Sequence, residues 1–178
     1  RDTGSRTPSP SHGEGLDVEL GAQATVERTV FARNRDAAVL VLHAGTSAAL
    51  SDIVVRDTVF QESDLLGGHG LDVQQGAHAA VERAVFEGNQ TMGVYAYLDG
   101  TSLELTDVVV RDTAPREGDG LAGRGLGTED GAQTAVLRGL FERNRDAGVF
   151  ATGDAPTSLS LTDVVVRDTA PREGDGLA

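Results

Sequence analysis

Carboxylates and aromatic rings recur in this chain at matched positions 55 residues apart. Asp17 is followed by Asp72 and Gly127, Glu19 by Gln74 and Glu129, Leu40 by Tyr95 and Phe150, and Leu42 by Tyr97 and Thr152. Sugar recognition commonly pairs rings that stack on pyranose faces with carboxylates that accept hydroxyl hydrogen bonds. On that chemistry the candidate ligand-binding residues are Asp17, Asp72, Tyr95, Tyr97, Glu129 and Phe150. A solvated strand face also needs polar residues alternating with β-formers, so the bland reading stands beside the sharp one.

Catalysis is harder to build from these residues. Glycoside hydrolysis needs two carboxylates about 5 to 9.5 Å apart, whereas Asp17 and Asp72 fall two units apart with Leu40 between them. Uronate elimination needs a basic group, and the alignment places no Arg on this row. The sequence holds no Cys and no Ser-His-Asp grouping, so no nucleophile with its base is visible and no catalytic residue is assigned. His12, His43, His69 and His78 share no ligand spacing and read as surface residues. Glu117 and Asp119 in PREGDGLAG, with Glu173 and Asp175 in its second copy, are weak calcium candidates. The segment partly matches a calcium-binding nonapeptide, but it is single and departs at the Asp position. An acidic turn is the competing reading; no other metal or cofactor is expected. The tripeptide NQT at Asn89 matches a glycosylation acceptor.

Composition narrows the partners. All 15 basic residues are Arg against 28 Asp and Glu, a formal net charge of -13. Phosphate contacts require clustered basic residues, so no nucleic-acid partner is expected. No run approaches the roughly 18 apolar residues of a membrane span. The Arg-only, Ala- and Gly-rich usage resembles that of a GC-rich bacterial genome. With aromatics at 4%, a core must be assembled from Val, Leu and Ala.

What positions the candidate residues is a repeat. GLDVELGAQATVERTVFARN at Gly15 returns as GLDVQQGAHAAVERAVFEGN at Gly70 and GLGTEDGAQTAVLRGLFERN at Gly125. LTDVVVRDTAPREGDGLA occurs twice, at Leu105 and Leu161, letter for letter. The halves of each repeat also resemble one another: Gly76 aligns with Gly100 and Val81 with Leu105. The underlying unit is therefore about twenty residues, with short units from Gly15, Gly70 and Gly125 and longer ones from Ala38, Gly93 and Gly148. AVLRGLFERNRDAG alone could pass for a helix, but its counterpart LELTDVVVRDT is β-branched and alternating, which predicts strands for both.

Each unit reads as a strand, a tight turn at Gly-Ala or Gly-Thr-Ser, a second strand, a bend and a third strand. This pattern resembles the pectin-lyase-like repeat, and the resemblance implies an all-β, right-handed parallel β-helix solenoid of about six coils in a 55-residue two-coil repeat. One domain over 1–178 is expected, with repeats 15–69, 70–124 and 125–178 and with 1–14 as the tail of a preceding coil. It reads as a fragment of a longer repeat protein, with further coils at both ends. The buried Asn usual in that family after the second strand is absent; Arg83 and Asp107 take its place, while Asn34, Asn89 and Asn144 end the third strand of the short units.

Stacking units about 4.8 Å apart turns positions into rows. Inward rows are Val26, Leu50, Val81, Leu105, Val136 and Leu161, and Phe31, Val55, Phe86, Val110, Phe141 and Val166. Three rows alternate in charge: Arg28, Asp52, Arg83, Asp107, Arg138, Asp163; Arg56, Glu87, Arg111, Glu142, Arg167; and Arg33, Asp57, Gly88, Asp112, Arg143, Asp168. These read as register ladders. A further apolar row, Val30, Val54, Val85, Val109, Leu140 and Val165, would point outward, so the third strand is kinked or the long loops cover it. The expected function is a non-enzymatic, secreted or cell-surface rod or adhesion module that contacts polysaccharide or surface glycans. The alternative is the supporting coils of a polysaccharide lyase or glycoside hydrolase whose active site lies elsewhere.

Overall fold

The structure, a computed structural model, describes residues 13–60, 67–116, 120 and 122–171. Every regular element among them is a strand, and the thirteen strands fall into two sheets. Numbered along the chain, the first sheet orders β1 (Leu16–Glu19), β4 (Ala37–Leu42), β6 (His69–Gln74), β8 (Met92–Tyr97), β10 (Arg124–Glu129) and β12 (Val149–Thr152). The second orders β2 (Gln23–Glu27), β5 (Ser47–Arg56), β7 (His78–Glu87), β9 (Ser102–Arg111), β11 (Gln133–Glu142) and β13 (Ser158–Arg167), with β3 (Val30–Ala32) also paired to β5. The strand pairings are all parallel. A strand of the first sheet always leads into one of the second, so successive units lie beside each other in both sheets. Single bridges Arg35–Val59, Gln90–Ala114 and Arg145–Ala170 add a third, shorter line of contact.

The register is the one the repeat dictates. Val26 pairs with Leu50, Leu50 with Val81, Val81 with Leu105, Leu105 with Val136 and Val136 with Leu161. Leu50, Val81, Leu105 and Val136 are buried, as are Val55, Phe86, Val110 and Phe141. A Phe on alternate units fills an interior too narrow for rings on every unit.

The expected second and third strands are one continuous strand of 10 residues in β5, β7, β9, β11 and β13, and separate strands only as β2 and β3. The bend lies inside it, at Asp52, Arg83, Asp107, Arg138 and Asp163, whose φ values are 53° to 56°. One left-handed residue inserts an extra step, so Leu50 and Ile53, three apart, both point inward. That phase change turns Val54, Val85, Val109 and Leu140 outward and half-buried, and leaves Val30 and Val165 exposed. The kink is thus present; the parts of the long loops at 61–66, 117–119 and 121 lie outside the described residues.

Left-handed backbone disfavours side chains with a Cβ, and here the side chains at the bends are tied down across the stack. Arg83 donates to Asp52 at 2.7 and 3.0 Å, and Arg138 to Asp107 at 2.6 and 2.8 Å. In the neighbouring row Arg143 donates to Asp112 at 2.8 and 2.9 Å. Each of these joins a short unit to the long unit before it. Arg111 to Glu87 and Arg167 to Glu142, both reaching 2.6 Å, join a long unit to the short one before it. Asp52, Asp107 and Asp112 thus take a guanidinium on both oxygens, whereas Glu87 and Glu142 take theirs from the following unit on Oε2 alone.

Two uncharged ties also follow the alternation. Thr46, Thr101 and Thr157 each accept through Oγ1 from the backbone N–H of the Gly in the preceding short unit's turn, Gly21, Gly76 and Gly131, at 2.9 to 3.0 Å. Asn89 accepts from Thr58 N–H at 3.1 Å and donates to the Val55 carbonyl at 3.3 Å; Asn144 repeats this with Thr113 and Val110, both at 3.1 Å. Both side chains are buried, so Asn89 is closed to glycosylation in the folded chain.

Candidate functional site

The outward row of the first sheet runs Asp17, Leu40, Asp72, Tyr95, Gly127, Phe150 in strict register. Beside it runs Glu19, Leu42, Gln74, Tyr97, Glu129, Thr152. Strand alternation puts both rows on one face, but the face divides. Asp17 and Glu19 on β1 are separated by Leu40 and Leu42 from the residues of β6, β8, β10 and β12, which form one contiguous cluster.

At the centre of that cluster the rings of Tyr95 and Tyr97 stack 5.6 Å apart at 14°. His69 meets Tyr95 edge-on at 5.2 Å. The Tyr95 hydroxyl donates to Glu129 Oε2 at 3.2 Å, and burial, reinforced by the Glu129 charge, raises its pKa far above that of an ordinary phenol. Tyr95 has this space because Gly127 lies beside it: a Cβ there would come 3.1 Å from the Tyr95 ring and 3.2 Å from the Met92 sulfur.

The carboxylates are committed to neighbours. Asp72, buried at 5% exposure, takes His69 Nδ1 at 2.8 Å and the Gln74 amide at 2.8 Å on both oxygens. Arg124, at the start of β10, pairs with Asp146 at 2.7 Å and Glu129 at 3.3 Å, and its guanidinium lies 3.8 Å above the Phe150 ring. The result is an unbroken chain of polar and aromatic contacts from β6 to β12 whose geometry is set before any ligand arrives.

Three sequence expectations change here. His69 is not a surface residue but the anchor of Asp72, its side chain 13% exposed. Its equivalents one repeat away are Glu14 and Arg124, so an Arg does stand on this face, where the row alignment had placed none. His78 is likewise engaged, with Nδ1 2.9 Å from Ser102 Oγ, while His43 is half-buried; His12 lies outside the described residues. Recognising that Glu14, His69 and Arg124 share the 55-residue spacing was the signal that would have drawn the last two into the site.

The calcium candidates Glu117, Asp119, Glu173 and Asp175 lie outside the described residues. Among the described residues no group of three or more His, Asp or Glu is placed to hold a metal ion, and no helix is long and apolar enough to cross a membrane. A shallow trough of about 490 Å³ on the second sheet, lined by Thr25, Ala49, Ala80, Glu82 and Glu104 among others, contains none of the candidate residues. The chain matches no family model, no curated protein and no solved structure.

Proposed function

We propose that the chain is a segment of a right-handed parallel β-helix, about six coils long and similar to the pectin-lyase-like repeat, that works as a non-enzymatic spacer or adhesion module at the bacterial cell surface or outside the cell. Its outward aromatic face contacts glycans. The parallel two-sheet stacking, one strand added to each sheet per unit, supports the scaffold. The observation that carries the glycan contact is the stacked Tyr95–Tyr97 pair held beside Glu129 and Gln74, a rigid ring-and-acceptor surface that loses little entropy on meeting a sugar. Asp72 and Glu129 are tied up by His69, Gln74, Tyr95 and Arg124, which favours binding over acid–base chemistry.

A glycan array with the intact chain should show retention of neutral oligosaccharides, and Tyr97→Ala should abolish it while leaving the circular dichroism spectrum unchanged. Binding that survives Tyr97→Ala would refute the assignment of the face. Release of reducing ends or unsaturated products from pectin or alginate would refute the non-enzymatic reading and favour a lyase or hydrolase scaffold.

A further inference from the structure

Charge divides the ligands that the stacked tyrosines could take. In the cluster around Tyr95 and Tyr97 stand three carboxylates, Asp72, Glu129 and Asp146, against one guanidinium, that of Arg124. The face is negative whichever way His69 is protonated. Arg124 is already committed: its Nε lies 2.7 Å from Asp146, its Nη1 3.3 Å from Glu129, and its Cζ 3.8 Å from the centre of the Phe150 ring. An incoming anion would have to draw it off these partners.

The Tyr95 phenol senses the same field. Burial is the first cause of its raised pKa, and the charges of Glu129 and Asp72 add to it, so a further negative charge beside this ring is resisted. Hydrogen bonding points the same way. Gln74 turns its amide nitrogen onto both Asp72 oxygens at 2.8 Å, which leaves its amide oxygen as the acceptor for a ligand. Glu129 accepts from the Tyr95 hydroxyl on Oε2 and meets Arg124 through Oε1, and each carboxylate oxygen has capacity for a further donor. The ligand must therefore bring donors. A protonated amine brings three together with a positive charge, whereas a uronate carboxylate brings acceptors alone.

We infer that this face selects glycans bearing protonated amino sugars over neutral ones and excludes uronates, with Glu129 as the residue that sets the preference. Glu129 and Tyr97 are register partners on adjacent strands, so an ammonium over the Tyr97 ring lies within reach of the carboxylate. The ring contributes a cation–π attraction and Glu129 a charge-assisted hydrogen bond. The inference rests on the glycan reading above and narrows it to one class of sugar.

Isothermal titration calorimetry with three probes of equal length tests it: a glucosamine oligosaccharide, its N-acetylated form and a galacturonate oligosaccharide. At about pH 6, where an amino group of this kind is protonated, the amine form should bind the intact chain about tenfold more tightly than the acetylated form, and the galacturonate should show no binding. Added salt should shrink the preference. Glu129→Gln should reduce the ratio between the first two probes about tenfold, while Glu104→Gln, which makes the same change in net charge on the second sheet, should leave the ratio as it is. Galacturonate that binds as tightly as the amine form, a ratio that survives Glu129→Gln, or an equal fall with Glu104→Gln would overturn the inference. Binding of the acetylated form without any preference for the amine overturns the selectivity and leaves the glycan contact standing; loss of all three probes overturns both.

Discussion

Replacing Asn89 by Ala removes both halves of a tie that the interior cannot otherwise make. The Thr58 N–H loses its acceptor at 3.1 Å and the Val55 carbonyl its donor at 3.3 Å, and both face a core in which Val55 and Phe86 are fully buried. Each orphaned backbone group costs about 1–3 kcal/mol, so with partial relaxation the variant should lose about 3 kcal/mol. For a chain of this size each kcal/mol shifts the melting temperature by roughly 2–4 °C, predicting a fall of about 6–12 °C. Asn144→Ala should behave alike, since its bonds to Thr113 and Val110 are of equal quality. Asn34 occupies the same place in the repeat but its Nδ2 has no partner among the described residues, so Asn34→Ala should shift the melting temperature by less than about 2 °C. The assay is thermal and urea unfolding followed by circular dichroism, with the urea m-value checked for constancy. Equal losses at Asn34 and Asn89 would refute the reasoning, because burial alone rather than the tie would then explain both.

The charge pairs make a prediction about pH. Bonds from Arg83, Arg138 and Arg143 hold the carboxyls of Asp52, Asp107 and Asp112 below the usual range, and Arg167 does the same for Glu142. A folded pKa below the unfolded one means the contribution is complete above the unfolded value and disappears as pH falls through the folded one. The urea midpoint should stay level from neutrality to about pH 5 and drop below about pH 4; a midpoint that rises on acidification would contradict it. Arg83→Asp should lower the melting temperature and Asp52→Arg in the same chain should restore part of the loss, whereas an unrestored double variant would show that the pair does not hold the bend. Gly125→Ala places a Cβ 2.4 Å from the Gly148 carbonyl oxygen and should cost about 1–3 kcal/mol, measured by urea unfolding; wild-type stability would mean the crossing is looser than the structure has it. Because burial raises the Tyr95 pKa, absorbance titration to about pH 11 should give the same phenolate signal for wild type and Tyr95→Phe, and a smaller signal in the variant would refute that burial.

The aromatic face of the first sheet was only half legible in the sequence. Tyr95, Tyr97, Glu129 and Phe150 could be placed together because period and strand alternation fix which side chains share a face. His69 and Arg124 were legible only from the 55-residue spacing they share with Glu14, because as the first residues of β6 and β10 they fall outside the two alternating rows. Asp17 shares the row with Asp72 yet belongs to no cluster with it, because Leu40 and Leu42 intervene. Row membership carries no information about which neighbours the side chains reach.

Repetition of sequence alone determined the all-β class, the parallel register, the inward Val, Leu and Phe rows and the alternation of opposite charges. Equivalent residues in a stacked repeat must lie side by side, so alignment and contact are the same information. Only the tertiary structure decided how those rows are used. It merged the second and third strands through a left-handed bend, buried Asn89 and Asn144 against the backbone of the unit before, and turned Arg83, Arg111, Arg138 and Arg143 each toward one neighbouring unit instead of two. It also committed Asp72 to His69. The reason is that direction along the stack is absent from a one-dimensional alternation. Whether Arg83 turns toward Asp52 or Asp107 is set by backbone twist and side-chain packing, and these exist only once the units are stacked.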